Sequence, residues 1–278
     1  MTDIAYKPEP ALGGWRRFSS AEPALAATGV MMLIMMLPTT LALLIEVRTV
    51  NGINPWIKPL KFQFSLAAYT LTLVLFARYL PVGLLETRWY RRFMTAVVFA
   101  IFAEMAWIMA ASASGHGSHF YEEGLIWIAL YPLMGLFAVL LTSTTTVFAW
   151  HIWKNQSADL SPAVKSGVVI GLALTLPATC ITAGYLAGNG GHWVGGTPSD
   201  ASGLAFFGWA RDGGDLRVAH FFATHAMHFI PAFAVLSALI FGAKNRLPVY
   251  GASIAFAALI AITFVQAING QPFLGFLG

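Results

Sequence analysis

Seven runs of apolar residues, each about as long as a bilayer is thick, divide the chain, with short polar stretches between them. They fall near residues 24–46, 62–80, 93–113, 125–150, 166–187, 218–241 and 249–268. A helix rises about 1.5 Å per residue, so about twenty residues cross a hydrocarbon core of roughly 30 Å. The runs are apolar on every face and lack the alternation of a barrel strand, which leaves helices as the spanning structure. The pattern predicts an all-α fold: a polytopic membrane helix bundle of seven transmembrane helices over residues 23–270, preceded by a segment 1–22 and followed by a short tail 271–278. Pro38, Pro132, Pro177 and Pro231 lie inside runs and are expected to kink them. Gly167 and Gly171 form a small-xxx-small pair that lets two helices approach closely. The hydroxyls from Thr142 to Thr146 are expected to bond carbonyls of their own helix.

Composition agrees. The chain is 58% hydrophobic and 10% charged, where a soluble domain carries roughly 25% charged residues, and its mean hydropathy is +0.70. That excludes an ordinary cytosolic enzyme, a disordered tail and a collagen. The formal charge of +4 comes from scattered Lys and Arg between apolar runs, so no nucleic acid is expected as partner. The bilayer is, with membrane partner subunits or a second copy of the chain left open. The single cysteine, Cys180, allows no disulfide framework within one chain and reads as a small buried hydrophobe.

Orientation follows from the Lys and Arg on alternate sides of the spans. Eleven fall on the side of the N-terminus, in residues 1–22 and in the second, fourth and sixth connections, and five on the other. The N-terminus is therefore expected in the cytoplasm, the first span is a retained signal anchor, and the C-terminus lies outside a bacterial cytoplasmic (inner) membrane. Trp56, Trp89, Trp127, Trp150 and Trp153 fall near span ends, where an indole suits the headgroup layer.

Polar chemistry gathers on the outer side. His116, His119, His192 and His220 lie at that surface, His225 and His228 inside the outer half of the sixth span, and only His151 on the other side. Lys58 and Lys61 stand at the outer mouth of the second span against the charge bias, and Asp215 and Arg217 come just before the sixth. The connection 188–217 holds nine glycines together with Asp200, Asp212 and Asp215, and a loop of that length is more often a lid or binding segment than a plain connector. Glu104 is the one formally charged residue near the middle of a span. Its burial is costly, so it is expected to face the bundle interior and mark a site. Counted inward from the span ends, Glu104, His225 and His228 lie roughly 10–15 Å deep and share one layer. His220, Thr224 and His228 make an i, i+4, i+8 stripe that can look into the same cleft.

Three chemistries use this set. Neutral imidazole is the commonest metal ligand, which makes His192, His220, His225 and His228 candidate ligands, with Asp200 or Asp215 behind them. A b-type haem needs two axial ligands from facing helices, and His220 or His225 with His116 or His119 supply such a pair. A Glu104–His228 proton relay needs no cofactor.

The strings Gly213–Phe221, Trp56-x-Lys58-Pro59-x-Lys61-Phe62 and Ser118-His119-Phe120 resemble those of a family of uncharacterised bacterial multi-pass membrane proteins. The likeness runs from the second span through the sixth and implies a bacterial inner-membrane setting and no particular activity. The preferred expectation is a membrane metal- or haem-dependent oxidoreductase or related enzyme, with Glu104 and His228 catalytic. A proton-coupled transporter or channel, and an accessory or assembly subunit without chemistry, are the alternatives.

Overall fold

The structure is a computed structural model. It describes residues 14–118, 125–204 and 206–275, with side chains in the second stretch from residue 130 onward. Among the described residues there are eight α-helices: α1 (Gly14–Ser19), α2 (Pro23–Ile45), α3 (Ile57–Ala77), α4 (Arg88–Ser114), α5 (Leu125–Lys154), α6 (Pro162–Gly188), α7 (Leu216–Phe241) and α8 (Leu247–Ile268). Helices α2 to α8 are each long and apolar enough to cross a membrane. Leu37, Leu41, Leu44, Leu239 and Ile254 stand out from them into the surroundings. An apolar belt of this kind belongs in lipid rather than water, and the chain is a multi-pass membrane protein.

Local signals set the helix ends. The Thr87 hydroxyl accepts from the Tyr90 amide at 3.2 Å to start α4, and Gly115, at a φ of 75°, ends it by donating to the carbonyls of Ala111 and Ser112. Ser161 caps α6 ahead of Pro162. Asp215 caps α7 by accepting from the Arg217 amide at 3.0 Å. The main departure from the sequence pattern is α3, which begins at Ile57 rather than near 62. Lys58 and Lys61 therefore belong to its first turns and not to a loop. Pro59 fits there because the first amides of a helix have no intrahelical partner to lose. Helix α4 likewise starts at Arg88, its cationic first turn continuing the apolar run. The helices run on through Pro38, Pro132, Pro177 and Pro231.

Seven crossings define two faces. The loop face carries the 46–56, 115–124 and 189–215 connections, and the N-terminal face carries the start of α2 and the remaining connections. Helices α6, α7 and α8 pack as one group, α2, α3 and α4 as another, and α5 lies between α4 and α6. Met227 of α7 joins the two groups by entering the core formed with Met32, Leu73, Ile101, Met105, Phe148 and Leu172. Helices α6 and α7 meet closely at the two glycines. A Cβ on Gly167 would overlap the Ala234 methyl, and one on Gly171 would lie 2.8 Å from the Ala226 carbonyl oxygen. Thr142 donates to Ala138 O at 2.7 Å and Ser143 to Leu140 O at 2.6 Å, so these two hydroxyls serve their own helix. Cys180 is exposed on α6 rather than buried. A lipid-facing position asks for the same apolarity as a core one, so its neighbours in sequence did not separate the two.

Candidate functional site

The 189–215 connection folds back onto the helix ends. Trp193–Val194 pairs antiparallel with Gly214–Asp215, and the Leu216 amide donates to the His192 carbonyl at 2.9 Å. Glycine is needed at 214 because the Ala267 carbonyl at the end of α8 occupies the place of a Cβ.

Arg217 is the hub of this face. Its Nη2 donates to Asp200 Oδ1, Asp215 Oδ2 and the Gly208 carbonyl, each at 2.7 Å, and its Nε to Asp215 Oδ1 at 3.0 Å. Asp215 also accepts from the Ala210 amide at 2.9 Å. His192 Nε2 lies 3.3 Å from the same oxygen of Asp200, and Lys61 Nζ donates to the Phe207 carbonyl at 2.9 Å. Lys58, three residues before it on α3, lies within electrostatic reach of Arg217 and Asp200. The network thus ties the loop to the first turns of both α3 and α7. Burial raises the Asp200 carboxyl, but the bonds and charges of His192 and Arg217 outweigh it and hold it below the usual carboxylate range. Burial lowers the His192 imidazole below its ordinary value, more than its acidic neighbours raise it. Asp212 is held low by Thr197, whose amide donates to it at the loop surface.

Beneath the network lies a column of rings. Phe207 stacks on Trp209 with centroids 4.2 Å apart, both meet Phe221 of α7 edge-on, and Phe221 sits 4.3 Å from the His225 ring. One turn deeper, His225 Nδ1 and His228 Nδ1 are 3.2 Å apart and share a hydrogen bond. The other nitrogen of His228, Nε2, is buried and faces the Ala68 backbone of α3, with which the ring shares a hydrogen bond.

His220 faces elsewhere. Its Nδ1 is 3.2 Å from the Thr182 hydroxyl of α6. The same hydroxyl also reaches the Ala178 carbonyl of its own helix at 2.9 Å. Thr224 bonds back to the His220 carbonyl at 3.0 Å. The expected stripe of His220, Thr224 and His228 is thus divided between two helix seams, because ring direction depends on side-chain rotation as well as on spacing.

Glu104 is buried on the core-facing stripe of α4 with Ile101 and Ile108. Gln63 Nε2 of α3 reaches Met109 Sδ of α4 at 3.7 Å. These helices are antiparallel, so five residues onward in one and five back in the other put Ala68 level with Glu104. The helix ends at Ser114 and Leu216 place Glu104, His225 and His228 roughly 14–18 Å from the loop face. Their shared level does not bring a bond: Glu104 makes no hydrogen bond or ion pair with a described residue.

The remaining ligand candidates are dispersed. His116 is exposed just beyond the Gly115 cap, and His119 lies outside the described residues. Among the described residues no three His, Cys, Asp or Glu side chains gather to hold a metal ion. The expected set of His192, His220, His225 and His228 is spread over a loop carboxylate, a threonine of α6 and the mutual pair. Sequence spacing gave Asp200 only a supporting place behind a metal, whereas it is the link between His192 and Arg217. The signal for it is Arg217 itself, a cation against the topology bias that needs more than its near neighbour Asp215. Glu22, buried on the N-terminal face where it accepts from the Tyr90 hydroxyl at 2.7 Å, drew no notice in the sequence. Burial raises its carboxyl more than that bond lowers it.

Comparison with protein-family models, curated proteins and solved structures finds no match to this chain. Function has to be argued from the site.

Proposed function

We propose that this chain is a proton-handling protein of the bacterial cytoplasmic membrane, of the transporter or channel class, with the His225–His228 pair as its proton-holding site and Glu104 as a second titratable group at the same depth. One observation carries the reading: two imidazoles one turn apart inside a membrane helix spend a nitrogen each on one another at 3.2 Å, and the remaining nitrogen of His228 is buried against the Ala68 backbone of α3. Titratable side chains inside a membrane bundle are costly to bury and mark proton and ion pathways.

A shared Nδ1···Nδ1 bond needs one donor and one acceptor. When His225 donates, His228 carries its own proton on Nε2, facing Ala68; when His228 donates, its Nε2 is bare. An additional proton makes one ring an imidazolium donating to the other, which spreads a charge at a depth where a lone cation is poorly tolerated. The pair lies beneath Phe221 and the loop-anchored rings, under the lid fastened by Arg217, Asp200 and Asp215. The metal- or haem-dependent alternative is less well supported, since among the described residues no three ligating side chains turn to a common centre.

The test is proton flux into proteoliposomes holding a pH-sensitive dye, driven by a potassium-diffusion potential. Wild type is expected to pass protons about tenfold or more faster than His228→Asn and Glu104→Gln, tenfold corresponding to about 1.4 kcal/mol on the barrier. Wild-type vesicles no faster than protein-free ones would sink the reading and favour an accessory subunit.

A further inference from the structure

On the opposite face, far from the His225–His228 pair, α5, α6 and α8 line a cleft of about 330 Å³, within the roughly 300–1,000 Å³ typical of small-molecule sites. Its lining brings together Lys165, Arg246, Ser166 and Tyr250, with Trp153 at its edge, and contains no carboxylate. The cations are placed by the fold. Lys165 is held by donating to the Asn155 carbonyl at 2.7 Å, and the Tyr250 hydroxyl sits beside Ser166 and Arg246.

Two helix starts add to the same charge. Helix α6 begins at Pro162, which lines the cleft, and α8 at Leu247, directly after Arg246. The positive ends of both helices therefore lie at a pocket that already holds two cations. The floor is apolar: Val169 and Ile170 continue along α6 into the membrane-spanning part of the helix. Trp153 is 55% exposed at the end of α5, where an indole marks headgroup depth.

We infer that this cleft is a binding site for the phosphate head group of an anionic phospholipid, such as phosphatidylglycerol, whose acyl chains run down α6 past Val169 and Ile170. Lys165 and Arg246 neutralise the phosphodiester, Tyr250 supplies a hydroxyl donor, and the apolar floor distinguishes a lipid from free phosphate. Basic pockets between membrane helices are a recurrent solution for anionic head groups. The site is independent of the proton-handling reading.

The test uses the full-length protein in detergent, with the melting temperature followed as phosphatidylglycerol, phosphatidylcholine of the same chains, glycerol 3-phosphate or inorganic phosphate is added. A ligand that binds only the folded state raises the melting temperature with concentration. Phosphatidylglycerol is expected to stabilise wild type by several degrees, and the other three much less. The Lys165→Gln/Arg246→Gln double variant is expected to lose that response, and Lys154→Gln/Lys244→Gln, on the same face but outside the lining, to keep it. Should the double variant fold poorly, native mass spectrometry of Arg246→Gln is expected to show the bound phosphatidylglycerol lost. Equal responses to the two lipids, an undiminished response or retained lipid in the cleft variants, or a full response to glycerol 3-phosphate or phosphate would overturn the assignment.

Discussion

Arg217 is placed where a cation is least welcome, in the first turn of a helix whose positive end it adds to. The structure answers with two carboxylates, one capping α7 from Asp215 and one brought from the loop by Asp200. Removing the guanidinium leaves Asp215 and Asp200 facing one another while keeping α7 intact. Breaking a buried ion pair costs about 3–5 kcal/mol, and the partial exposure of Arg217 reduces that, so Arg217→Gln is expected to cost about 2–3 kcal/mol locally. Hydrogen exchange should read it as lost protection of residues 192–210 with α4 and α5 unchanged. Acidification acts in the same direction. The Asp200 carboxyl is depressed in the folded chain, so its contribution is present above the ordinary carboxylate value near 4 and lost as pH falls through the lowered one. His192 is depressed too; the unfolded imidazole takes up a proton first, so its contribution is complete above about pH 6.5 and declines below it. The loop should therefore be tightest at neutral pH and loosen on acidification, and protection corrected for intrinsic exchange that is flat from about pH 7 to 4 would contradict this.

Among the elements, the pairing of α6 with α7 is the most exacting, and it matters to the site because it fixes His220 against Thr182 and the direction in which α7 presents His225 and His228. The closeness rests on Gly167 and Gly171. At Gly171 an added Cβ would meet the backbone oxygen of Ala226 and the ring of Pro231, neither of which moves as a flexible side chain would. Gly171→Ala is expected to cost about 1–3 kcal/mol through overpacking. Gly184→Ala, on the same helix with nothing within 4 Å of the new methyl, should be neutral or slightly stabilising from helix propensity. Thermal unfolding in detergent separates the two, and equal melting temperatures would show that the seam is softer than its geometry. The seven spans and this glycine pair were legible because a bilayer imposes one demand, apolarity over a fixed length, on every crossing. The start of α3 was not, because Lys58 and Lys61 look like loop residues until the loop above supplies the Phe207 carbonyl and the Asp200 charge. The i, i+3 spacing of His225 and His228 put them on one face, yet which nitrogen meets which partner depends on rotamers and on Ala68 of another helix. Spacing likewise set Glu104 level with the two histidines without revealing that it makes no hydrogen bond to them.

At the scale of the whole molecule the two faces differ in kind. The N-terminal face carries most of the Lys and Arg, gathers two of them into the cleft below α8, and keeps its connections short. The loop face carries few cations, consumes Arg217 and Lys61 in bonds to its own lid, and has the histidine pair beneath it. If cations are retained on the cytoplasmic side during insertion, eleven against five decides the orientation, and the proton-holding pair is then loaded from outside the cell while the anionic-lipid cleft meets the inner leaflet. The single native cysteine makes this checkable: in a Cys180→Ala background, Ser202→Cys reports the loop face and Ser157→Cys the opposite one. Ser202→Cys is expected to react with a membrane-impermeant maleimide in intact cells, and Ser157→Cys only after the membrane is opened. The reverse pattern would turn the protein over and make the lid, the aromatic column and the histidine pair a site fed from the cytoplasm, with the direction of proton uptake in sealed vesicles inverted to match.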